Sequence, residues 1–193
     1  MYDVVCLASG GLDSTVCLHL LRERGLNALP VFINYGQQNL SREWGALVSA
    51  CESGRFAKPI EFEIPSFGKV IRSGLTDATL RINEDAFTPN RNLLFVVLGA
   101  SLAYTKAIPN IALGLLAEET TIFPDQSERF LSSAEQVLQE SLGTRIKIHT
   151  PLRDMTKQDV VKIARLRYIT GSYSCHAGTE LPCGKCIACL EYT

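Results

Sequence analysis

Five apolar residues in a row, Val4–Ala8 (VVCLA), predict a short strand covered on both faces. The spacing then changes: Val16, Cys17, Leu20 and Leu21 recur at helical intervals and predict a helix over Ser14–Arg24, ended by Gly25. Ala28–Ile33 predicts a second strand. After the polar turn NYGQQN a helix runs from about Ser41 to Glu52, and the alternating Pro59–Ile64 (PIEFEI) predicts a third, more exposed strand. Positions 65–89 are weakly patterned and predict loops with one short helix. Leu93–Ala107 is an apolar helix, Ile111–Leu115 a buried strand, Phe130–Leu142 a helix, and Ile146–Ile148 a further short apolar run. Thr156, with Asp159 at the capping-box position, starts a last helix that reaches about Arg167. Strands alternating with helices predict an α/β fold: an open parallel sheet with helices on both faces. From position 169 to 193 the pattern stops, and Gly, Pro and Cys replace any periodic apolar face. Residues 1–168 are therefore read as one α/β domain, with 169–193 as a tail packed on it.

In such a sheet the first strand-to-helix turn is where a ligand is expected. Here it reads SGGLDST, Ser9 to Thr15. Gly10 and Gly11 can take positive φ and present bare backbone N–H groups, Ser9, Ser14 and Thr15 add hydroxyls, and the following helix adds its positive end. Together these make a nest for an anion, most naturally a phosphate. The spacing fits neither G-x-x-x-x-G-K-[ST] nor G-x-G-x-x-G. Asp13 would repel a bare phosphate; it makes sense if Mg²⁺ bridges it to the ligand, or if it caps its own helix.

Cysteine usage adds a second site. Cys6, Cys17 and Cys51 lie in periodic apolar surroundings and read as small core residues. Cys175, Cys183, Cys186 and Cys189 instead form C-x₇-C-x₂-C-x₂-C, a spacing that lets four thiolates converge on a tetrahedral, structural Zn²⁺. A redox pair or an iron–sulfur cluster are the competing uses. His176, beside the first of these, is expected at a pocket or behind the ligands. A formal net charge of -1 supplies no general phosphate-binding surface, so nucleic acid is not the expected partner. No apolar run reaches the ~20 residues of a membrane helix. The first residues carry no basic leader, so the expectation is a cytoplasmic location with no membrane partner.

SGGLDST resembles the S-G-G-x-D-S pyrophosphate loop of the PP-loop ATP pyrophosphatases, which transfer AMP to a carbonyl or carboxyl oxygen. Together with the terminal cysteines it resembles the 7-cyano-7-deazaguanine synthase (QueC) family in particular. NYGQQ (Asn34–Gln38) is similar to that family's D-Y-G-Q, with Glu43 at its later acidic position. TPNRNLLF (Thr88–Phe95) is similar to x-P-G-R-N-x-x-F, TPLRDMTKQDVV (Thr150–Val161) to T-P-L…K-x-E, and YSCHAGTELPCGKCIAC to S-C-Y-N-G…C-G-x-C-x-x-C. The resemblance implies a Rossmann-like, adenine nucleotide alpha hydrolase-like fold and a homodimer. It implies ATP, Mg²⁺ and Zn²⁺ as cofactors. The substrates would be 7-carboxy-7-deazaguanine, adenylated on its carboxylate, and ammonia, giving the amide and then, with a second ATP, the nitrile. It places ATP on Ala8, Ser9, Gly10, Gly11, Leu12, Asp13, Ser14 and Thr15, catalysis on Asp13, Ser14, Arg91 and Lys157, and substrate on Tyr35, Gln37, Asn92, Glu119, Phe123 and Asp125.

The family's D-x-S-G-Y-P-D-C-R is the main departure. This chain has ETTIFPDQS, Glu119 to Ser127: Pro124 and Asp125 match, Glu119 stands for the first Asp, Phe123 for Tyr, Ile122 for Gly, and Gln126-Ser127 for Cys-Arg. A divergent member is expected. An alternative within the resemblance is a QueC-like antiphage-defence enzyme that joins the activated deazaguanine to a protein amine. Two further readings are a PP-loop tRNA-modifying enzyme, disfavoured by the neutral charge, and a non-catalytic nucleotide-binding interaction module.

Overall fold

The computed structural model describes residues 1–120 and 122–192. Five parallel strands form one sheet: β1 (Val4–Leu7), β2 (Ala28–Asn34), β3 (Ile60–Glu63), β4 (Asn110–Leu113) and β5 (Lys147–His149), in the spatial order β3-β2-β1-β4-β5. Among the described residues seven helices accompany them: α1 (Leu12–Glu23), α2 (Leu40–Gly54), α3 (Pro65–Val70), α4 (Arg91–Thr105), α5 (Glu128–Leu142), α6 (Lys157–Leu166) and α7 (Ile187–Leu190). Single 3-10 turns lie at Glu118–Thr120 and Pro124–Gln126.

The pleat of β1 sorts the core into two layers. Val4, Cys6 and Ala8 pack with α1, with Leu47 and Cys51 of α2, and with Val160 and Ala164 of α6. Val5 and Leu7 point the other way, against Val96, Ala100 and Ala103 of α4 and Leu131, Ala134 and Leu138 of α5. Leu18, Leu21, Leu47 and Phe32 are at most 1% exposed, and each such side chain contributes about 1.5–3 kcal/mol by burial. The cysteines read as core, Cys6, Cys17 and Cys51, are all buried. Pro30 sits in β2 without breaking it because β3 pairs only from Val31 onward, so on that side no ladder bond is required of Pro30.

Several boundaries lie two residues from the sequence reading: α2 ends at Gly54, α4 spans Arg91–Thr105 and α5 begins at Glu128, and two further shifts lie at the glycine loop. The first helix begins at Leu12, not Ser14: Gly11 occupies the cap position without a side-chain bond, and Asp13 lies in the first turn instead of capping. The fourth strand stops at Leu113, two residues early, because the chain must pass the first turn of α1 there. A Cβ on Gly114 would come within 3.1 Å of the Asp13 carbonyl. Elsewhere the expectation holds closely, including the Thr156/Asp159 capping box that opens α6.

Strand order reverses at β1 and β4, since β1 crosses to β2 on one side and the chain returns to β4 on the other. That switch point opens a crevice at the carboxyl ends of both strands. The tail comes back to this crevice: Tyr173 N–H donates to the Gly10 carbonyl at 3.0 Å, and Asn39 Nδ2 donates to the Cys175 carbonyl at 3.2 Å.

Gly10 carries the closest approach. Its φ is +82°, and a Cβ there would strike the Glu43 carbonyl oxygen and lie 2.7 Å from the Leu47 nitrogen, both in the backbone of α2. Gly10→Ala should therefore cost about 2–4 kcal/mol in denaturant unfolding, through left-handed strain plus the displacement of α2. A change below about 0.5 kcal/mol would mean that the loop and α2 are not held as described.

Candidate active site

Two cavities meet at the crevice. The first runs from the glycine loop (Ser9, Gly11, Leu12, Asp13, Ser14) past Lys157, Ser174 and Glu191 to Thr120, Phe123 and Gln126. The second lies over the strand ends, from Ala8, Ile33 and Leu113 to Tyr35, Gln37, Asn39, Asn92 and Phe95. Asp13, Ser14, Glu43, Arg91, Gly114 and His176 border both, and so mark the seam between them.

The loop is held in shape by hydroxyls. Gly11 N–H donates to Ser9 Oγ at 3.3 Å, Ser9 N–H to Ser14 Oγ at 3.2 Å, and Leu12 N–H to Ser174 Oγ at 3.4 Å. These are long, weak bonds, and a phosphate oxygen would be a stronger acceptor for the same donors. Of the eight residues assigned to ATP, Gly10 and Thr15 border neither of these cavities. Gly10 makes the turn against α2, while Thr15 Oγ1 donates to the Gly11 carbonyl from behind at 2.9 Å. Gly11 does not use positive φ; its own φ is -71°. It is small because Ser9 Oγ and Ser174 Oγ would lie 3.3 and 3.6 Å from a Cβ.

Lys157, at the first position of α6, turns its ammonium onto Asp13, donating to Oδ1 at 2.8 Å and Oδ2 at 2.6 Å. Its third acidic contact is Glu191 Oε2 at 2.7 Å, just after α7, and Tyr192 stacks over it at 5.3 Å. Burial alone would pull this amine down, but the two carboxylates outweigh it and raise its pKa. Arg91 lies against the rings of Tyr35 and Phe95, 5.8 and 5.9 Å from their centroids, with Nη1 3.5 Å from the Tyr35 hydroxyl. Across the two cavities three carboxylates (Asp13, Glu43, Glu191) face two permanent cations. A polyphosphate entering here needs a divalent cation with it, and Asp13 is placed to hold one.

Asn92 and Asp125 are tied to each other: Asn92 N–H donates to Asp125 Oδ2 at 3.4 Å and its Nδ2 to the Asp125 carbonyl at 3.1 Å. Gln37 accepts from Tyr35 N–H through Oε1 at 3.0 Å and donates through Nε2 to Glu43 Oε2 at 3.3 Å. Phe123 borders the first cavity and packs on Phe87, centroids 5.2 Å apart. Glu119 is exposed and outside both cavities, so the sheet does not bring it to the other assigned residues. Thr121, inside the divergent loop, lies outside the described residues.

Site residues beyond the sequence reading come from chain segments whose meeting only the fold reveals. Arg153 Nη1 donates to the carbonyls of Leu116 and Gln126 at 3.1 and 2.9 Å and so fixes the divergent loop. His176 projects to the seam, its Nδ1 buried without a hydrogen-bond partner; burial, with Arg91 and Lys157 nearby, pushes it down to about 4. Glu43, in the first turn of α2, has its open surface facing the cavities. Burial pushes its carboxyl from 4.5 up to about 7 against the pull of Gln37, Asn39 and Arg91. An acid at the start of the second helix facing the loop was the available signal for it.

The four tail thiols have all their sulfur atoms within 4.8 Å of one another, with Cys183 and Cys189 Sγ 4.0 Å apart. Backbone N–H groups point at three sulfurs: Cys183 at Cys175 (3.3 Å), Cys186 at Cys183 (3.4 Å) and His176 at Cys186 (3.5 Å). That donor set fits a tetrahedral thiolate metal. Burial pushes Cys186 up to about 12, so a metal is what would strip its proton.

Two outcomes follow from this geometry. Glu43 has a raised pKa in the fold, so its contribution is complete below pH 4.5 and is lost as pH rises through about 7. From pH 4 to 8 the wild-type protein should lose roughly 2–3 kcal/mol relative to Glu43→Gln, read as diverging melting temperatures. Parallel curves would refute the buried carboxyl. Cys186→Ser should lower the bound metal measured by plasma mass spectrometry by at least tenfold; unchanged metal content would contradict the four-thiol site.

The chain is 29% identical to the 7-cyano-7-deazaguanine synthase of Campylobacter concisus, over 98% of this chain and 91% of that one. The Sulfurihydrogenibium synthase is 32% identical over the same shares. Among solved structures, the predicted subunit of tRNA methyltransferase from Methanocaldococcus jannaschii superposes with a TM-score of 0.57 at 18% identity, covering 86% of this chain and 75% of that one. The U34-tRNA thiolase NcsA of Methanococcus maripaludis, with its [4Fe-4S] cluster, gives 0.56 at 15%, covering 88% and 58%. At those identities the two structures speak for the fold alone. The family model for the queuosine biosynthesis protein QueC matches residues 3–192, and with a loop, seam and cysteine cluster arranged as above the chain belongs to the QueC family.

Proposed function

We propose that this protein is an ATP-dependent, adenylating C–N ligase acting on 7-carboxy-7-deazaguanine. The carrying observation is the seam: Asp13, Ser14 and Arg91 border both the cavity over the strand ends and the cavity that runs from the glycine loop to Phe123 and Gln126, and Lys157 reaches Asp13 there. The adenine lies over the strand ends at Ala8, Ile33 and Leu113, and the triphosphate lies on the N–H groups of the loop and the N-terminus of α1. Asp13 would hold Mg²⁺, which would supply charge neutralisation at the phosphates. Lys157 then pairs with phosphate oxygens in place of Asp13, and Arg91, braced by Tyr35 and Phe95, stabilises charge at the α-phosphate. The deazaguanine carboxylate attacks that phosphorus and pyrophosphate leaves. A nitrogen nucleophile displaces AMP to give the amide, and a second adenylation activates the amide oxygen so that loss of AMP leaves the nitrile. Cys175, Cys183, Cys186 and Cys189 would hold Zn²⁺ in a structural role.

A second reading, in which the nucleophile is an amine on a protein, rests on the divergent rim. Ile122 is 55% exposed and borders the first cavity, an apolar contact that ammonia does not need.

Mass spectrometry of products from 7-carboxy-7-deazaguanine, Mg-ATP and ammonium tests the proposal: AMP and the amide or nitrile are expected. AMP without amide, converted to conjugate when a partner protein is added, would favour the second reading. Absence of AMP while nucleotide still binds would reject both. Asp13→Asn should lower AMP formation by at least 10³-fold with metal content unchanged, since the nucleotide loses its charge partner.

A further inference from the structure

Adenylation leaves a proton to be accounted for when nitrogen attacks. The acyl-adenylate carbonyl gains a C–N bond, the C–O bond to the phosphoryl oxygen breaks, AMP leaves with the electron pair, and one N–H proton must go to a base. The seam limits the choice. Asp13, paired on both oxygens with Lys157 in the free protein, is the group that would hold the metal once nucleotide binds, and Glu191 lies on the Lys157 ammonium. Glu43 borders both cavities, and among the described residues no cation forms an ion pair with it. Its Oε2 receives the side-chain amide of Gln37 at 3.3 Å, and the Asn39 side chain also lies on the carboxyl. The groups facing it are Asp13 from α1, Tyr35, Gln37 and Asn39 from the turn before α2, Arg91 from α4 and His176 from the tail.

We propose that Glu43 is the proton acceptor for the attacking nitrogen, a role that rests on the adenylation reading. Its place at the seam puts the carboxylate beside the carbonyl that joins nucleotide and acid, with Arg91 opposite for the departing phosphate. The Gln37 amide orients the carboxylate without neutralising it. Its pKa of about 7 suits transfer from a protonated adduct at neutral pH, strong enough as a base and still ionised in a useful fraction. Proton acceptance belongs to the second half of the reaction alone, and that separates it from a packing role.

The test compares two half-reactions in Glu43→Gln and Glu43→Asp. Exchange of labelled pyrophosphate into ATP, dependent on 7-carboxy-7-deazaguanine, reports adenylation; amide formation from ammonium reports attack. Glu43→Gln should keep exchange within about threefold and the KM for the acid unchanged, while amide formation falls on the order of 10²–10³-fold and no longer rises with an apparent pKa near 7. Glu43→Asp should recover part of the rate. Hydroxylamine, a neutral and stronger nucleophile at pH 7, should trap the adenylate in Glu43→Gln nearly as fast as in wild type. Equal losses in exchange and amide formation, or unchanged amide formation, would overturn the role. Absence of exchange in the wild-type protein would instead remove the adenylation reading, and the role with it.

Discussion

One ammonium ties three distant stretches of this chain together. Lys157 comes from the last core helix, Asp13 from the first and Glu191 from beyond the cysteine cluster, and all meet within hydrogen-bond distance in a site where the lysine side chain is only 9% exposed. Desolvating a cation is costly, and two carboxylates compensate for it here. Two carboxylates against one ammonium leave the trio formally anionic, and so open to a further cation. On the proposed reading, a divalent cation held by Asp13 would leave the ammonium free to turn to a phosphate.

The cysteine cluster belongs to the same structure. Tyr173 and Ser174 lie on the glycine loop through Gly10 and Leu12, Cys175 is held by Asn39, and Glu191 reaches Lys157. The segment that carries the thiols therefore also forms one wall of the cavity. A small apolar cluster around Cys175, Cys186 and Ala188 is all the core this segment has. A thiolate metal fits as its fastening, and a fastened tail keeps His176 at the seam and Ser174 and Glu191 on the first cavity.

Period and punctuation made the fold readable. Unbroken apolar runs such as VVCLA could only be strands covered on both faces, and Thr156 with Asp159 marked a helix start to the residue. The errors were local. The helix after the glycine turn started earlier because Gly11 can cap by backbone alone, and the fourth strand ended earlier because only Gly114 fits beside Asp13. The glycine loop and the cysteine spacing were legible because each motif is contiguous. Glu43, Glu191, Arg153 and the position of His176 were not assigned, because their meaning comes from contacts between separate chain segments that no contiguous motif spans, or from placement at a cavity. Asp125 illustrates the converse: the motif singles it out, while the structure binds it to Asn92.

The central claim is that a substrate carboxylate oxygen, seated at the seam, attacks the α-phosphate. Carrying out a single turnover with 7-carboxy-7-deazaguanine labelled with ¹⁸O in both carboxylate oxygens tests it most directly. The account predicts that one ¹⁸O leaves in the phosphate of AMP and that the amide retains the other. Label in inorganic phosphate with ADP as the nucleotide product, or AMP free of label, would contradict it.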